Sequence, residues 1–182
     1  MQPLGTKKLI RDSFYKLLAT SEDIDSISVS KIIKEAGISR PTFYYHFQDI
    51  YALQAWIIKT SFAEMIEKMA RDKICRCEVE AFFDYLDQYR VLIYKCLQSS
   101  RWEIVEDIIE QNIFVYIYNF LALNSLGKNL PQEDFDFTIE FYSRAVANMC
   151  IKYVSGRYSK IGRDSVIDMV NRLIEREIST LK

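Results

Sequence analysis

The sequence predicts an all-α protein in two parts: an N-terminal three-helix unit built around a helix-turn-helix, and a longer helical domain behind it. Three observations carry this. Residues 28–47, SVSKIIKEAGISRPTFYYHF, read as short helix, tight turn, short helix. Apolar residues recur at three- and four-residue intervals through most of the remaining chain. Only five glycines and three prolines interrupt 182 residues, and Gly37, Gly127, Gly156 and Gly162 stand where helical stripes stop.

The first helix is expected from about Leu4 to Ser21, with Leu9, Ile10, Phe14, Leu17 and Leu18 as its apolar stripe. Ser21 to Ser26 is an acidic connection in which Ile24 and Ile27 should pack inward. Val29, Ile32, Ile33 and Ala36 then fall at i, i+3, i+4 and i+7, one face of a second helix, with Ser28 as N-cap. Lys31 occupies the position where a capping box would carry Glu or Gln. Gly37 supplies the left-handed residue that ends this helix, and Ile38 tucks into the angle. Ser39 caps the third helix, and Pro41 is tolerated in its first turn, where the N–H has no intrahelical partner.

The third helix has two faces. Phe43 and Phe47, four apart, point into the small unit; Arg40, Thr42, Tyr44, Tyr45 and His46 cover the rest. That surface has donors for phosphate oxygens and base edges and flat rings that can lie along a sugar-phosphate backbone. Local geometry alone leaves two readings open, a DNA-binding helix or a helical hairpin with aromatic packing and no ligand.

The run from Ile27 through Ser39-Arg40-Pro41-Thr42-Phe43-Tyr44-Tyr45-His46-Phe47 to Leu53 resembles the DNA-binding domain of the TetR family of bacterial transcription regulators. The resemblance covers about the first third of the chain. It implies that Lys31, Ser39, Arg40, Pro41, Thr42, Tyr44, Tyr45 and His46 form the DNA-contacting set, with Arg40 and Thr42 at base edges and Tyr44, Tyr45 and His46 at the backbone. It further implies a helical C-terminal domain that binds an effector and dimerises. One position departs from the family: Ile50 stands where a phosphate-binding Lys is usual, which should lower affinity and its salt dependence without changing the bases read.

Composition sets limits on partners. The formal net charge is −1, and residues 1–50 carry seven Lys/Arg against six Asp/Glu, so the basic footprint must be local: Lys7, Lys8, Arg11, Lys31, Lys34 and Arg40 gathered on one side. The N-terminus runs straight into a charged amphipathic helix, so no signal peptide is read. The apolar run Ile113–Leu123 is too short to span a bilayer, and a cytoplasmic protein without membrane contact is expected. Cys75-Arg76-Cys77 has a metal-pair spacing, but the sole His is His46, so too few ligands exist for zinc. No metal or cofactor is expected, and all four cysteines should be reduced thiols. One His, no glycine-rich phosphate loop and no metal spacing argue against an enzyme.

Residues 1–50 are assigned to the DNA-binding domain and 51–182 to the effector-binding and dimerisation domain. A long helix is expected from Asp49 to about Lys73, with a break over Asp72–Cys77. Another follows from Glu78, kinked or interrupted at Asp87–Tyr89. Gln98-Ser99-Ser100 is a turn, with Ser100 capping a helix from near Arg101 to about Ser125 that is broken near Glu110. Its second half, Ile113 to Leu121, is apolar nearly all round and should be buried. The last two helices are expected over about Pro131–Ser155 and Arg163–Leu181. Their wide apolar stripes exceed what one subunit need cover, and pairing with a second copy as a four-helix bundle answers that.

The C-terminal half also resembles the group of TetR-type regulators that includes the activator of dihydroxyacetone-kinase operons, at Phe141-Tyr142, Lys152-Tyr153 and Gly156. Tyr153 replaces a Trp usual in that group, some of whose members take a protein as their signal. Candidate effector-lining residues are Trp56, Phe62, Phe82, Phe83, Tyr94, Cys96, Trp102, Tyr116, Phe120 and Tyr142, a lining suited to a small apolar or aromatic effector. The expected function is a homodimeric regulator, in the first instance a repressor, that reads a near-palindromic double-stranded operator under effector control. The alternative is a protein-binding coregulator with weak or partner-dependent DNA contact.

Overall fold

A computed structural model describes residues 3–68 and 76–181. Among these residues the secondary structure is helical throughout: α1 (Pro3–Thr20), a short 3-10 turn (Ile24–Ser26), α2 (Val29–Ala36), α3 (Arg40–His46), α4 (Ile50–Lys68), α5 (Arg76–Gln88), α6 (Arg90–Leu97), α7 (Trp102–Leu123), α8 (Gln132–Val154) and α9 (Arg163–Leu181). The all-α expectation holds. The predicted continuation of α4 to Lys73, with Met69, lies outside the described residues, as does Cys75.

The N-terminal unit forms as its caps dictate. Ile10, Phe14, Ile32 and Phe43 are fully buried, so α1, α2 and α3 close on a common apolar centre. That centre does not stop at residue 50. It continues through Leu53 and Ile57 of α4 to Leu92 and Cys96 of α6 and Val105 of α7. A second core joins Phe62, Phe83, Ile113, Cys150 and Ile167 across α4, α5, α7, α8 and α9, and a small third one joins Phe120, Leu121, Leu126 and Ile139.

The predicted interruption at Asp87–Tyr89 is a kink. Tyr89 has φ −100° and ψ 7°, yet its N–H still donates to the Tyr85 carbonyl at 3.0 Å and its own carbonyl accepts from Ile93 at 2.9 Å. The hydrogen-bond ladder bends here without breaking.

Four expectations are corrected. Ser100 does not cap α7: Arg101 is the N-cap residue, and the Ser100 N–H donates instead to Asp25 Oδ2 at 2.7 Å, a tertiary bond that wins over the local one. The helix is continuous past Glu110. The run Ile113–Leu121 is only half buried: Ile113 and Phe120 are inside, but Phe114, Val115 and Tyr118 are exposed, because the neighbouring helices α4, α6 and α8 leave one side of α7 open among the described residues. Finally, Cys77 is disulfide-bonded, whereas Cys96 and Cys150 are free, buried thiols. Cys77 is exposed in the first turn of α5, where oxidation can reach it; burial shields the other two.

Candidate nucleic-acid interface

The interface is set by how α3 is anchored. Ser28 Oγ accepts from the Lys31 N–H at 3.3 Å and starts α2. Gly37 has φ 64° and ψ 33°, and the Ile38 N–H closes the turn onto the Ile33 carbonyl at 3.2 Å. A Cβ added at Gly37 meets nothing within 4 Å, so backbone conformation alone requires glycine there. Ser39 Oγ accepts from the Thr42 N–H at 3.3 Å and lies 2.7 Å from Thr42 Oγ1. From this fixed start, Phe43 and Phe47 enter the core, 0% and 5% exposed. Burying two such rings stabilises the seat of α3 by roughly 1.5–3 kcal/mol each.

The opposite face is presented to solvent. Tyr45 is 79% and Tyr44 47% exposed, and Ser39, Arg40 and Pro41 are exposed beside them. His46 is half-buried, edge-on to Tyr45 with ring centroids 5.0 Å apart. Arg40 is held at the start of α3 by one hydrogen bond, Nη2 to Ser30 Oγ at 2.7 Å. A guanidinium has five N–H donors, so the rest are available to a base edge or phosphate. The Lys31 ammonium rests on the Ser26 carbonyl at 2.8 Å, an exposed bond that a phosphate can replace. Of the eight predicted DNA residues, Lys31 on α2 and Ser39, Arg40, Pro41, Tyr44 and Tyr45 at and along α3 are exposed, whereas His46 and Thr42 are half-buried, Thr42 being engaged in local capping.

The predicted gathering of basic residues holds only in part. Lys31, Lys34 and Arg40 are exposed in α2 and α3. The Lys7 ammonium lies over aromatic rings, 5.6 Å from that of Phe47 and 5.4 Å from that of Trp56. Arg11 pairs with Asp12 at 3.0 Å. Ile50 is half-buried and packs against the first core. Asp49 caps α4, accepting from the Ala52 N–H at 2.7 Å, so the start of that helix already holds a carboxylate.

Comparison with known proteins fits this geometry. Residues 18–55 match the family model described as bacterial regulatory proteins, tetR family. Residues 78–176, more than half of the chain, match the model described as transcriptional regulator C-terminal region.

The chain belongs to the TetR family.

It is 36% identical over 90 residues to the HTH-type dhaKLM operon transcriptional activator DhaS of Lactococcus lactis subsp. lactis (strain IL1403), covering 50% of this chain and 48% of that one. That match thus spans about half the relative's length. It is 25% identical over 153 residues to the HTH-type transcriptional regulator SAR2658 of Staphylococcus aureus (strain MRSA252), covering 74% and 82% of the two chains. The solved structure of the dihydroxyacetone kinase operon activator DhaS superposes with a TM-score of 0.74 over 97% of this chain and 98% of that one, at 20% identity, which establishes a shared fold. As a TetR-family member the chain is a DNA-binding transcription regulator, and the relatives named are transcriptional regulators. No helix among the described residues is long and apolar enough to cross a membrane, and none of their side chains cluster as a metal site.

Of the ten predicted effector residues, Phe62, Phe82, Phe83 and Tyr116 share the second core and the others are dispersed. Phe62 and Phe82 line an apolar cavity between α4, α5, α6, α7 and α8 of about 20 Å³, which has room for about one water molecule. Phe83 is fully buried against the Tyr153 ring, centroids 4.8 Å apart. Tyr116 and Tyr142 are half-buried, and burial pushes each phenol up to about 12. Phe120 sits in the third core, and Cys96, buried in the first, is pushed up to about 12 by desolvation and then by Asp25. Tyr94 and Trp102 are exposed on the surface. Trp56 alone reaches a large cavity, about 570 Å³, where α1, α4 and the α5–α6 kink meet. That cavity escapes sequence reading because its walls come from three separated segments and follow no local pattern.

Proposed function

We propose that the chain is a homodimeric operator reader, in which each subunit lays α3 in a major groove of a near-palindromic site. The observation that carries this is the two-sided seating of α3. Phe43 and Phe47 fix its depth and rotation, and Arg40, Tyr44 and Tyr45 stand on the exposed side. Arg40 and Thr42 are the base-edge residues. Tyr44, Tyr45, His46, Ser39, Pro41 and Lys31 meet the backbone, and either Tyr ring can cover a thymine methyl.

Dimerisation is supported by apolar side chains left open on the last two helices. Phe137 and Phe141 on α8 are 68% and 57% exposed with their rings stacked, and Met169 and Leu173 on α9 are 44% and 56% exposed. A second copy covering these pairs would set the half-site spacing at about one helical turn or somewhat more. Occupancy of the operator is the regulated step: it represses where the site overlaps a promoter and activates where it lies upstream.

The test is selection of bound sequences from a random double-stranded DNA pool at low and moderate salt. A two-fold motif that weakens in Arg40→Ala and Tyr44→Ala supports the reading. A folded dimer that enriches no motif supports the second reading, a protein-binding coregulator, which the apolar Ile50 and the carboxylate of Asp49 at the start of α4 favour.

A further inference from the structure

The TetR-family reading leaves open where an effector acts, and the tightly packed C-terminal core leaves it little room. We infer that the cavity between α1, α4 and the α5–α6 kink is an effector site for a small organic cation with an aromatic or aliphatic body. This inference rests on the operator-reading proposal for its consequence but not for the binding itself.

The volume, about 570 Å³, lies in the range of small-molecule pockets, and its position between domains is where such pockets are favoured. Its floor is apolar: Leu18, Ile57 and Leu92 are buried there. Three half-buried aromatic side chains, Tyr15, Trp56 and Tyr89, form walls from three different elements. Tyr15 and Tyr89 offer ring faces to a cation, whereas the Trp56 ring already has the Lys7 ammonium 5.4 Å from its centre and supplies apolar wall.

The charge on the lining decides the sign. The lining carries Arg11 against Asp12 and Glu64, one more acid than base, and Arg11 is paired with Asp12 at 3.0 Å. Glu64, on α4, is the lining's acidic side chain outside that pair and is exposed. Among the described residues no ion pair engages it. Its field reaches the opposite wall, where burial first and Glu64 second push the Tyr89 phenol upward, against a smaller downward pull from Arg11. Thr60 lies one turn before Glu64 on the same wall and adds a hydroxyl oxygen that an ammonium group can donate to, while the Ser61 hydroxyl is tied to the Ile58 carbonyl and the Tyr85 hydroxyl, each at 3.0 Å. Lys7, over the Trp56 ring, is not part of the lining.

The position explains what binding would do. A ligand held by Tyr15, Glu64 and Tyr89 touches α1 of the DNA-binding unit, the linking helix α4 and the kink in the next layer together. It therefore favours one placement of α1 relative to α6, and with it one separation of the two α3 helices in a dimer.

The test uses the full-length protein without DNA and three probes that share a phenethyl body: phenethylamine, 3-phenylpropionamide and 3-phenylpropionate. Calorimetric titration should give one phenethylamine site per chain, with the neutral amide at least tenfold weaker and the anion weaker still. Glu64→Gln, at an exposed position, should weaken phenethylamine at least tenfold and leave the amide within twofold; circular dichroism confirms that this variant is folded. Thr60→Phe, which fills the cavity without changing charge, should weaken both. Equal binding of the three probes, preference for the anion, no phenethylamine binding at millimolar concentration, or indifference to Glu64→Gln would overturn the inference. Because no DNA is present, such a failure leaves the operator reading intact. A protein that binds phenethylamine but selects no DNA motif instead overturns that reading alone.

Discussion

The ammonium group of Lys95, on α6, donates to the carbonyl of Leu18, at the end of α1, at 2.8 Å, and to that of Ser21 at 2.5 Å. A cation is thus placed at the carbonyl end of the first helix, where the helix dipole favours it. Around it, Asp25 accepts from the Ser100 N–H at 2.7 Å, and the Arg101 guanidinium stacks 5.0 Å from the Tyr51 ring. The Lys95 and Asp25 contacts join the α6–α7 corner to the DNA-binding unit, and the Arg101 contact joins it to the start of α4, so a shift of α6 is passed to α1 through polar bonds as well as through packing.

Lys95→Met keeps the aliphatic stem and removes both charge-assisted bonds. It should destabilise the protein by about 1.5–3 kcal/mol, the range for hydrogen bonds to charged groups. Chemical denaturation reads the stability. Motif affinity measured alongside should change in the same variant if α6 sets the placement of α1.

Gly37→Ala meets no clash, so its cost is conformational. With φ 64°, an L-residue at that position should cost roughly 1–2 kcal/mol. Gly37→Asn, a residue that tolerates the left-handed region, should recover part of the loss in the same thermal melts.

Phe43→Ala and Tyr45→Ala separate fold from contact on a single helix. Phe43 is fully buried, and truncation should cost about 3–5 kcal/mol. Tyr45 is 79% exposed, and its truncation should change stability by under about 0.5 kcal/mol. Tyr45→Ala should nonetheless lower DNA affinity, measured by fluorescence anisotropy on the selected motif.

Phe141→Glu and Leu173→Glu place charges on the apolar faces of α8 and α9. Both residues are exposed in the single chain, so its folding should be unaffected, while the dimer should dissociate by sedimentation velocity. A dimer that survives both substitutions would locate the interface elsewhere, with the exposed Phe114–Tyr118 pair of α7 next to be changed.

Alkaline pH should destabilise the fold. The Cys96 thiol is pushed from 9.0 up to about 12 by burial, so between these values the unfolded chain loses a proton that the native chain keeps. The native state then binds more protons, and stability falls as pH rises through that window. Cys150, fully buried and also pushed upward, adds in the same direction. Cys96→Ala/Cys150→Ala should flatten the loss of stability between pH 9 and pH 11, followed by urea unfolding, and native alkylation of both thiols should be slow.

Local chemistry determined much of this protein. Ser28, Gly37 and Ser39 specify caps and a turn within a few residues of sequence, and each makes the bond its residue type calls for. The spacing of Phe43 and Phe47 set which side of α3 faces out. The stripes of α8 and α9 marked their limits to within a residue or two. Only the tertiary structure decided how distant segments share space. Ser100 gave its N–H to Asp25, seventy-five residues away, because that acceptor is brought alongside when α6 packs on α1. The run Ile113–Leu121 is uniformly apolar, but neighbouring helices cover one side of it, and hydropathy does not say which side. The proposed effector residues follow the same rule. Trp56, Phe83 and Trp102 are alike as letters, yet one lines a cavity, one fills the core and one lies on the surface. A cavity is what packing leaves over among three helices, and no periodicity within one helix encodes it.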